Sequence, residues 1–437
     1  MTEKLDSFFG LAAAGTSARR EIVAGLTTFI TMSYIVAVNP AILKAAGIPE
    51  GPSMVATALT AIVGSLLMGL YANLPFAVAP YMGENAFVAY TVVRQMGFRW
   101  QTALGAVFIA GLLFAILTAV RIRQWMVEAI PAGLRHSFSA GIGLFLAFIG
   151  LNEIGIVTIG VAGAPVRLGA LGSAPVMVGV IGIVAIALLM TWRVPGAILI
   201  GILIASGAAF VTGVAKAPSR YVAMPPSLGP IAFALDLRGA LQWRSFGVLL
   251  TIFMMALTDT MGTLIGVASR AGLLDERGHL PSIERPMMVD AMATTFAALA
   301  GTTTSGAFIE SAAGVSAGGR TGLTALVVAA LFGASLFFTP IVTAIPREAY
   351  GPALVMVGAM MLAPIAAIDF NDLTELLPAF SVIALMSFTY NIGVGITAGF
   401  VLYPILKAAT GRASEVQAGL WALFTLSMLF YFFYPYG

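Results

Sequence analysis

Two short stretches decide how this chain folds: Asn73-Leu74-Pro75-Phe76-Ala77-Val78-Ala79-Pro80-Tyr81-Met82-Gly83-Glu84-Asn85 and Gly301-Thr302-Thr303-Thr304-Ser305-Gly306-Ala307-Phe308-Ile309-Glu310. Both are too polar and too interrupted for the interior of an ordinary membrane helix. The first holds two prolines before Gly83, Glu84 and Asn85; the second holds four successive hydroxyl residues before Gly306 and Glu310. Backbone of this kind survives at membrane depth only where protein or a water-lined cavity satisfies its polar groups. A pair of such segments at corresponding places in two halves of a chain points to the central site of a secondary transporter.

The surroundings show that lipid is the solvent. Of 437 residues 59% are hydrophobic and only 9% charged, against about 25% charged in an ordinary soluble domain. The 48 glycines and 22 prolines suit membrane helices, which use both more freely than soluble ones. With about 20 apolar residues needed per crossing, spans fall at 22–43, 53–72, 76–93, 101–120, 132–151, 174–192 and 196–214. A second set falls at 246–268, 286–301, 303–319, 322–345, 351–367, 376–407 and 417–434. The predicted fold is an all-α polytopic membrane protein of fourteen transmembrane segments. Residues 1–214 form one half, the polar stretch 215–245 with Pro225, Pro226 and Pro230 connects it, and 246–437 form the other. Seven spans per half is an odd number, so the halves enter from opposite sides as an inverted repeat. The interrupted segments are the third and the tenth.

The chain opens with Glu3, Lys4 and Asp6 around Phe8, Phe9 and Leu11, with Arg19 and Arg20 behind. A cleaved signal wants its basic residues first, so this reads as an interfacial segment leading into the first span. With that end inside, half of the 22 Lys and Arg fall on each side. The first span decides instead: Arg19 and Arg20 precede it and Lys44 follows, which places both termini in the cytoplasm and the protein in the cell membrane. A net charge of +3 scattered through loops carries no nucleic-acid stripe. There is no cysteine and there are only two histidines, His136 and His279, so neither a thiolate site nor a His-rich metal site is expected. His136 beside Arg135 reads as interfacial. His279, in the mixed-charge stretch of Arg270, Asp275, Glu276, Arg277, Glu284 and Arg285, reads as solvated surface.

An ionisable group inside a span costs at least ~2.5 kcal/mol, which makes it a functional candidate. Asp259 lies mid-span in Met254-Met255-Ala256-Leu257-Thr258-Asp259-Thr260, and Glu310 lies in the tenth segment, with Glu84 and Asn85 their counterparts in the first half. The bland alternative is a packing carboxylate held by neighbouring hydroxyls. For Asn85 it is a helix cap after Gly83. Phe87, Phe308 and Ser311 flank these groups and complete the candidate substrate-binding set, although a membrane phenylalanine packs more often than it stacks on a ligand.

At these residues the chain resembles the AzgA-like purine permeases of the nucleobase–ascorbate transporter superfamily, from near residue 8 to near 430. The resemblance is carried by Phe8-Phe9-Gly10-Leu11, by Thr27-Thr28-Phe29 through Tyr34 to Asn39-Pro40, and by Asn85-Ala86-Phe87. It continues through Asp259-Thr260 with Gly262-Thr263-Leu264, Ile309-Glu310-Ser311-Ala312-Ala313-Gly314, and Gly318-Gly319-Arg320-Thr321-Gly322-Leu323-Thr324. It implies a core of spans 1–4 and 8–11 beside a gate of spans 5–7 and 12–14, with substrate between the third and tenth segments and touched by the eighth. It further implies that Asn85, Asp259 and Glu310 bind the base, and that Asp259 and Glu310 couple the proton. One departure stands out. Where the family usually reads Pro-Gly-Met-Gly-Leu-Asn, this chain reads Pro80-Tyr81-Met82-Gly83-Glu84-Asn85, which sets a phenol and an extra carboxylate beside the expected site.

The chemistry is coherent without the resemblance. A purine offers N–H donors and ring-nitrogen acceptors; a carboxylate takes the former, and an Asn amide answers a donor and an acceptor together. Leaving one of these unpaired in a dry pocket costs ~1–3 kcal/mol, which is the source of selectivity. Burial among Ala, Phe and Ile disfavours the charged form of a carboxylate, so it can gain and lose a proton and couple proton entry to base entry. The expected function is therefore proton-coupled uptake of a purine nucleobase, adenine, guanine or hypoxanthine, with no cofactor beyond the coupling H+. The partners are the base and the bilayer, with no nucleic acid; a homodimer is compatible with this. An anion carrier of the same fold is the alternative, disfavoured by acidic central residues. An intramembrane enzyme is disfavoured by the lack of a His-Glu-x-x-His or Gly-x-Ser-x-Gly constellation.

Overall fold

The computed structural model describes residues 2–122, 125–126, 129–161, 164–274 and 280–433. The expectation for His279 and its neighbours Asp275, Glu276 and Arg277 lies outside the described residues. Among the described residues, eight helices are long and apolar enough to cross a membrane, and shorter apolar helices complete the bundle.

The inverted repeat is visible in how the helices pack. Ala18–Met32 lies on Gly322–Ser335 as Phe246–Ala271 lies on Trp100–Ala119. Glu50–Leu67 lies on Gly322–Ser335 as Glu284–Ala300 lies on Trp100–Ala119. The remaining helices repeat the pattern: Ala132–Ile154 packs on Arg347–Met361 and on Leu373–Phe388, while Arg347–Met361 packs in turn on Ala174–Thr191. Small residues allow the close approaches, as expected where lipid supplies no hydrophobic drive between helices. A methyl group on Gly25 would sit 2.6 Å from the Val327 side chain and 2.8 Å from the Thr324 carbonyl oxygen.

Two expectations about the elements change. The third and tenth segments do not begin as helices. Each opens as a three-residue strand, β1 (Val78–Pro80) and β4 (Ser305–Ala307), paired antiparallel with Ala79 opposite Gly306. Between them in the chain, β2 (Val157–Val161) and β3 (Ala164–Leu168) form a separate exposed hairpin. Pro75 and Pro80 cannot donate to a helix ladder, and the hydroxyls of Thr302–Ser305 compete with one. The extended pieces therefore satisfy each other.

The other change concerns 376–407, read as one span. It is two helices, Leu373–Phe388 and Ile392–Ala409, packed side by side. Tyr390 turns the chain at φ 57°, and the Asn391 side chain caps the next helix at Val394 N. Their far ends meet: the Arg412 guanidinium donates to Asp372 at 2.6 Å and holds its carboxyl well below the usual carboxylate range. Lys407, almost fully buried, joins them through Glu375 at 2.9 Å and Glu415 at 3.0 Å. Asp372 and Arg412, expected on opposite sides, are thus on one. The apolar helix Ala418–Phe433 then follows, packed on Ile392–Ala409.

The Gly318–Thr324 motif has a structural task. Glu21 is fully buried and accepts from Arg320 N at 2.8 Å, from Thr324 Oγ1 at 2.6 Å, and from Thr321 N and Thr324 N at 3.3 Å. Its carboxylate lies at the N-terminus of Gly322–Ser335, where the helix dipole favours negative charge. Glu21→Ala orphans several buried donors at ~1–3 kcal/mol each, so the purified variant is expected to melt well below wild type. An unchanged melting curve would contradict this role.

Candidate functional site

The strand pair sits where the sequence places the site, and the flanking spans hold it symmetrically. Ser65 Oγ accepts from Val78 N at 3.1 Å, and Thr294 Oγ1 accepts from Ser305 N at 3.2 Å, one hydroxyl from the second span and one from the ninth. Tyr81 N donates to Thr304 O at 3.0 Å and Phe308 N to Ala77 O at 2.9 Å, extending the ladder at both ends. Beyond it the chain turns helical, as Met82–Ala86 running into a π-helical stretch Phe87–Gln95, and as Ser311–Ser316. π-helical turns recur at functional sites. Helix Phe246–Ala271 packs against β4, Ser311–Ser316 and Met82–Ala86, and its Asp259 lies beside Glu84 and Tyr81 of the third segment.

The first span supplies the residues that orient the site, and these the sequence showed only as motif positions. Tyr34 donates its phenol proton to Glu310 Oε1 at 2.5 Å. Asn39 fixes Asn85 through a chain of donors. Thr57 Oγ1 donates to Ser53 O at 2.7 Å, so it must accept from Asn39 Nδ2, also at 2.7 Å. Asn39 Nδ2 further donates to Thr302 Oγ1 at 3.0 Å. The Asn39 carbonyl oxygen is thereby left to accept from Asn85 Nδ2. This network fixes the orientation of both amides. Within this network, Glu310 Oε2 and Asn85 Oδ1 meet no donor from another described residue.

The other candidates divide. Glu84 is fully buried and faces Asp259, itself half-buried. Phe308 is spent on packing, stacked on Tyr81 with centroids 6.2 Å apart and planes 6° from parallel. The Ser311 hydroxyl accepts from Ala77 N at 3.0 Å and so ties the two segments together. Phe87 is buried in the core. Sequence reading missed Asp290, buried in Glu284–Ala300 near Tyr81. Its signal was available, since a carboxylate within that apolar run stands out by the same cost argument that found Asp259. Among the described residues no cluster of acids and histidines could hold a metal ion.

Known proteins resemble this chain in fold and in sequence. By fold, the chain is similar to the transmembrane domain of a cyanobacterium bicarbonate transporter, BicA, with a TM-score of 0.64 at 15% identity, covering 87% of this chain and 97% of that one. The murine Slc26a9 anion transporter in the inward-facing state gives a TM-score of 0.62 at 12% identity, covering 90% of this chain and 68% of that one. By sequence, the chain is 44% identical over 426 residues to a putative permease of Methanocaldococcus jannaschii, covering 98% of this chain and 97% of that protein. It is 40% identical over 413 residues to the adenine permease AdeQ of Escherichia coli (strain K12), covering 94% and 93%. It is 42% identical over 416 residues to the guanine/hypoxanthine permease PbuO of Bacillus subtilis (strain 168), covering 94% and 96%. These relatives are permeases, not enzymes, and the AzgA-like resemblance read from the motifs holds over nearly the whole chain. With the family described as Xan_ur_permease, Permease family, matching residues 19–402, this multi-pass membrane protein belongs to that family of permeases.

Proposed function

We propose that the protein carries a purine nucleobase into the cell by symport with a proton, and that the base binds between the third and tenth segments. The observation that carries this is the pair of acceptors left over at Glu310 Oε2 and Asn85 Oδ1. Residues of one short stretch, Tyr34 and Asn39, hold the two groups. Both acceptors call for N–H donors, which adenine and guanine present as amino and ring hydrogens and hypoxanthine as ring N–H. The names of the relatives, adenine permease and guanine/hypoxanthine permease, agree with this class of substrate. The acidic centre of Glu84, Asp259, Asp290 and Glu310 disfavours an anion as cargo.

In this reading Asp259 and Glu310 couple the proton, spans 1–4 and 8–11 form the core that moves, and the other spans form the gate. The protein resides in the cell membrane with its N-terminus in the cytoplasm; with Lys407 and Arg412 on the inner side, inner Lys and Arg outnumber outer ones, as the positive-inside rule requires. The test is uptake into proteoliposomes with the outside more acid. A labelled purine is expected to accumulate above its external concentration, and a protonophore is expected to abolish that accumulation. Accumulation that needs sodium and ignores the protonophore would overturn proton coupling.

A further inference from the structure

Glu84 is the residue by which this chain departs from the usual pattern of the family it resembles, and the structure shows what it meets. It is fully buried on the short helix Met82–Ala86, and no N–H or O–H of another described residue satisfies either of its oxygens. Helix Phe246–Ala271 packs across it. Met255 of that helix reaches to 3.9 Å from where a Gly83 Cβ would lie. Asp259, one turn further along the same face, sets its carboxyl within hydrogen-bond reach of the Glu84 carboxyl. Among the described residues, two further helices against Met82–Ala86 present uncharged groups here: Ile35–Lys44 offers Asn39 to its neighbour Asn85, and Ala132–Ile154 offers Ile142 to Gly83. Behind the pair, the Tyr81 phenol lies among Asp290, Asp259 and Glu84 and against the Thr260 hydroxyl.

Two ionised carboxylates are acceptors only and cannot bond to each other; a carboxylic acid and a carboxylate can. Like charges in one buried site therefore keep one proton between them. We propose that Glu84 and Asp259 form a single proton site, a carboxyl pair that shares one proton between the third and eighth segments, and that Asp259 takes its part in coupling through this pair.

With the proton present, the O–H of one acid donates to an oxygen of the other and the pair carries one negative charge. When the proton leaves to water on the side to which the site opens, two facing carboxylates remain and push the third segment from the eighth. Asn85 follows Glu84 directly in the chain, so that displacement moves a base-contacting amide. Proton loss and base release become one event.

The coupling role rests on the proposed symport; the shared proton does not, so it is tested without substrate. Infrared spectra of purified protein, compared between H2O and D2O, read the carbonyl stretch of a protonated buried carboxyl. Glu84→Gln and Asp259→Asn are each expected to remove the same component, and the double variant to remove no more than either alone. Glu84→Leu, the residue usual in the family, should behave as Glu84→Gln and serves if the amide variant does not fold. A component that persists in both Glu84 variants and disappears only with Asp259→Asn would overturn the proposal, as would wild type with no such component. Purine binding by wild type, measured in parallel, tells a failure of the substrate assignment from a failure of the shared proton.

Discussion

Glu310→Gln is expected to lower purine affinity at least tenfold, a loss of ~1.4 kcal/mol or more. The geometry leaves the amide no good orientation. Tyr34 donates to Oε1, so a glutamine that keeps its carbonyl there turns its NH2 toward the base, donor against donor. Rotated the other way, it offers the base an oxygen but turns its NH2 on the Tyr34 hydroxyl, which loses its acceptor in a site where Tyr34 is fully buried. Either way the negative charge that strengthens the contact is gone. Calorimetry on folded, monodisperse protein measures the effect, and wild-type affinity in the variant would remove Glu310 from the site.

Asp259→Asn is expected to abolish accumulation against a gradient while exchange of base across the membrane stays measurable. Asparagine resembles the protonated acid, since its NH2 can still donate to Glu84, but it holds no exchangeable charge. The variant thus binds in one protonation state only. Gradient-driven uptake and counterflow in the same vesicles separate the two activities. Full pH-driven accumulation by this variant would show that the coupling proton is held elsewhere.

Much of this site was legible in the sequence because membrane depth penalises what it uses. Glu84, Asn85, Asp259 and Glu310 stand out against apolar surroundings, and the prolines and hydroxyls mark the two interrupted segments. The strands themselves were not legible. Each is three residues long, with its partner on the far half of the chain and no turn between them to announce a pairing. Tyr34 and Asn39 were visible only as motif positions and Glu21 gave no signal, since their roles depend on partners that folding brings from 18 to 303 residues away. The break in 376–407 was hidden because Thr389-Tyr390-Asn391 carries neither proline nor glycine and sits in a stretch without a charged residue before Lys407. The turn there depends on Tyr390 adopting a left-handed backbone, a conformation rare for a bulky residue.

The central claim is that the two acceptors at the crossing of the third and tenth segments receive a purine. Competition against one labelled purine in proteoliposomes tests it most directly, with unlabelled adenine, guanine, hypoxanthine, xanthine, uracil and bicarbonate as the panel. The account predicts that adenine, guanine or hypoxanthine displaces the label at the lowest concentration and that bicarbonate does not displace it at all. Failure of every purine to bind or compete, together with saturable bicarbonate transport by the same vesicles, would contradict it.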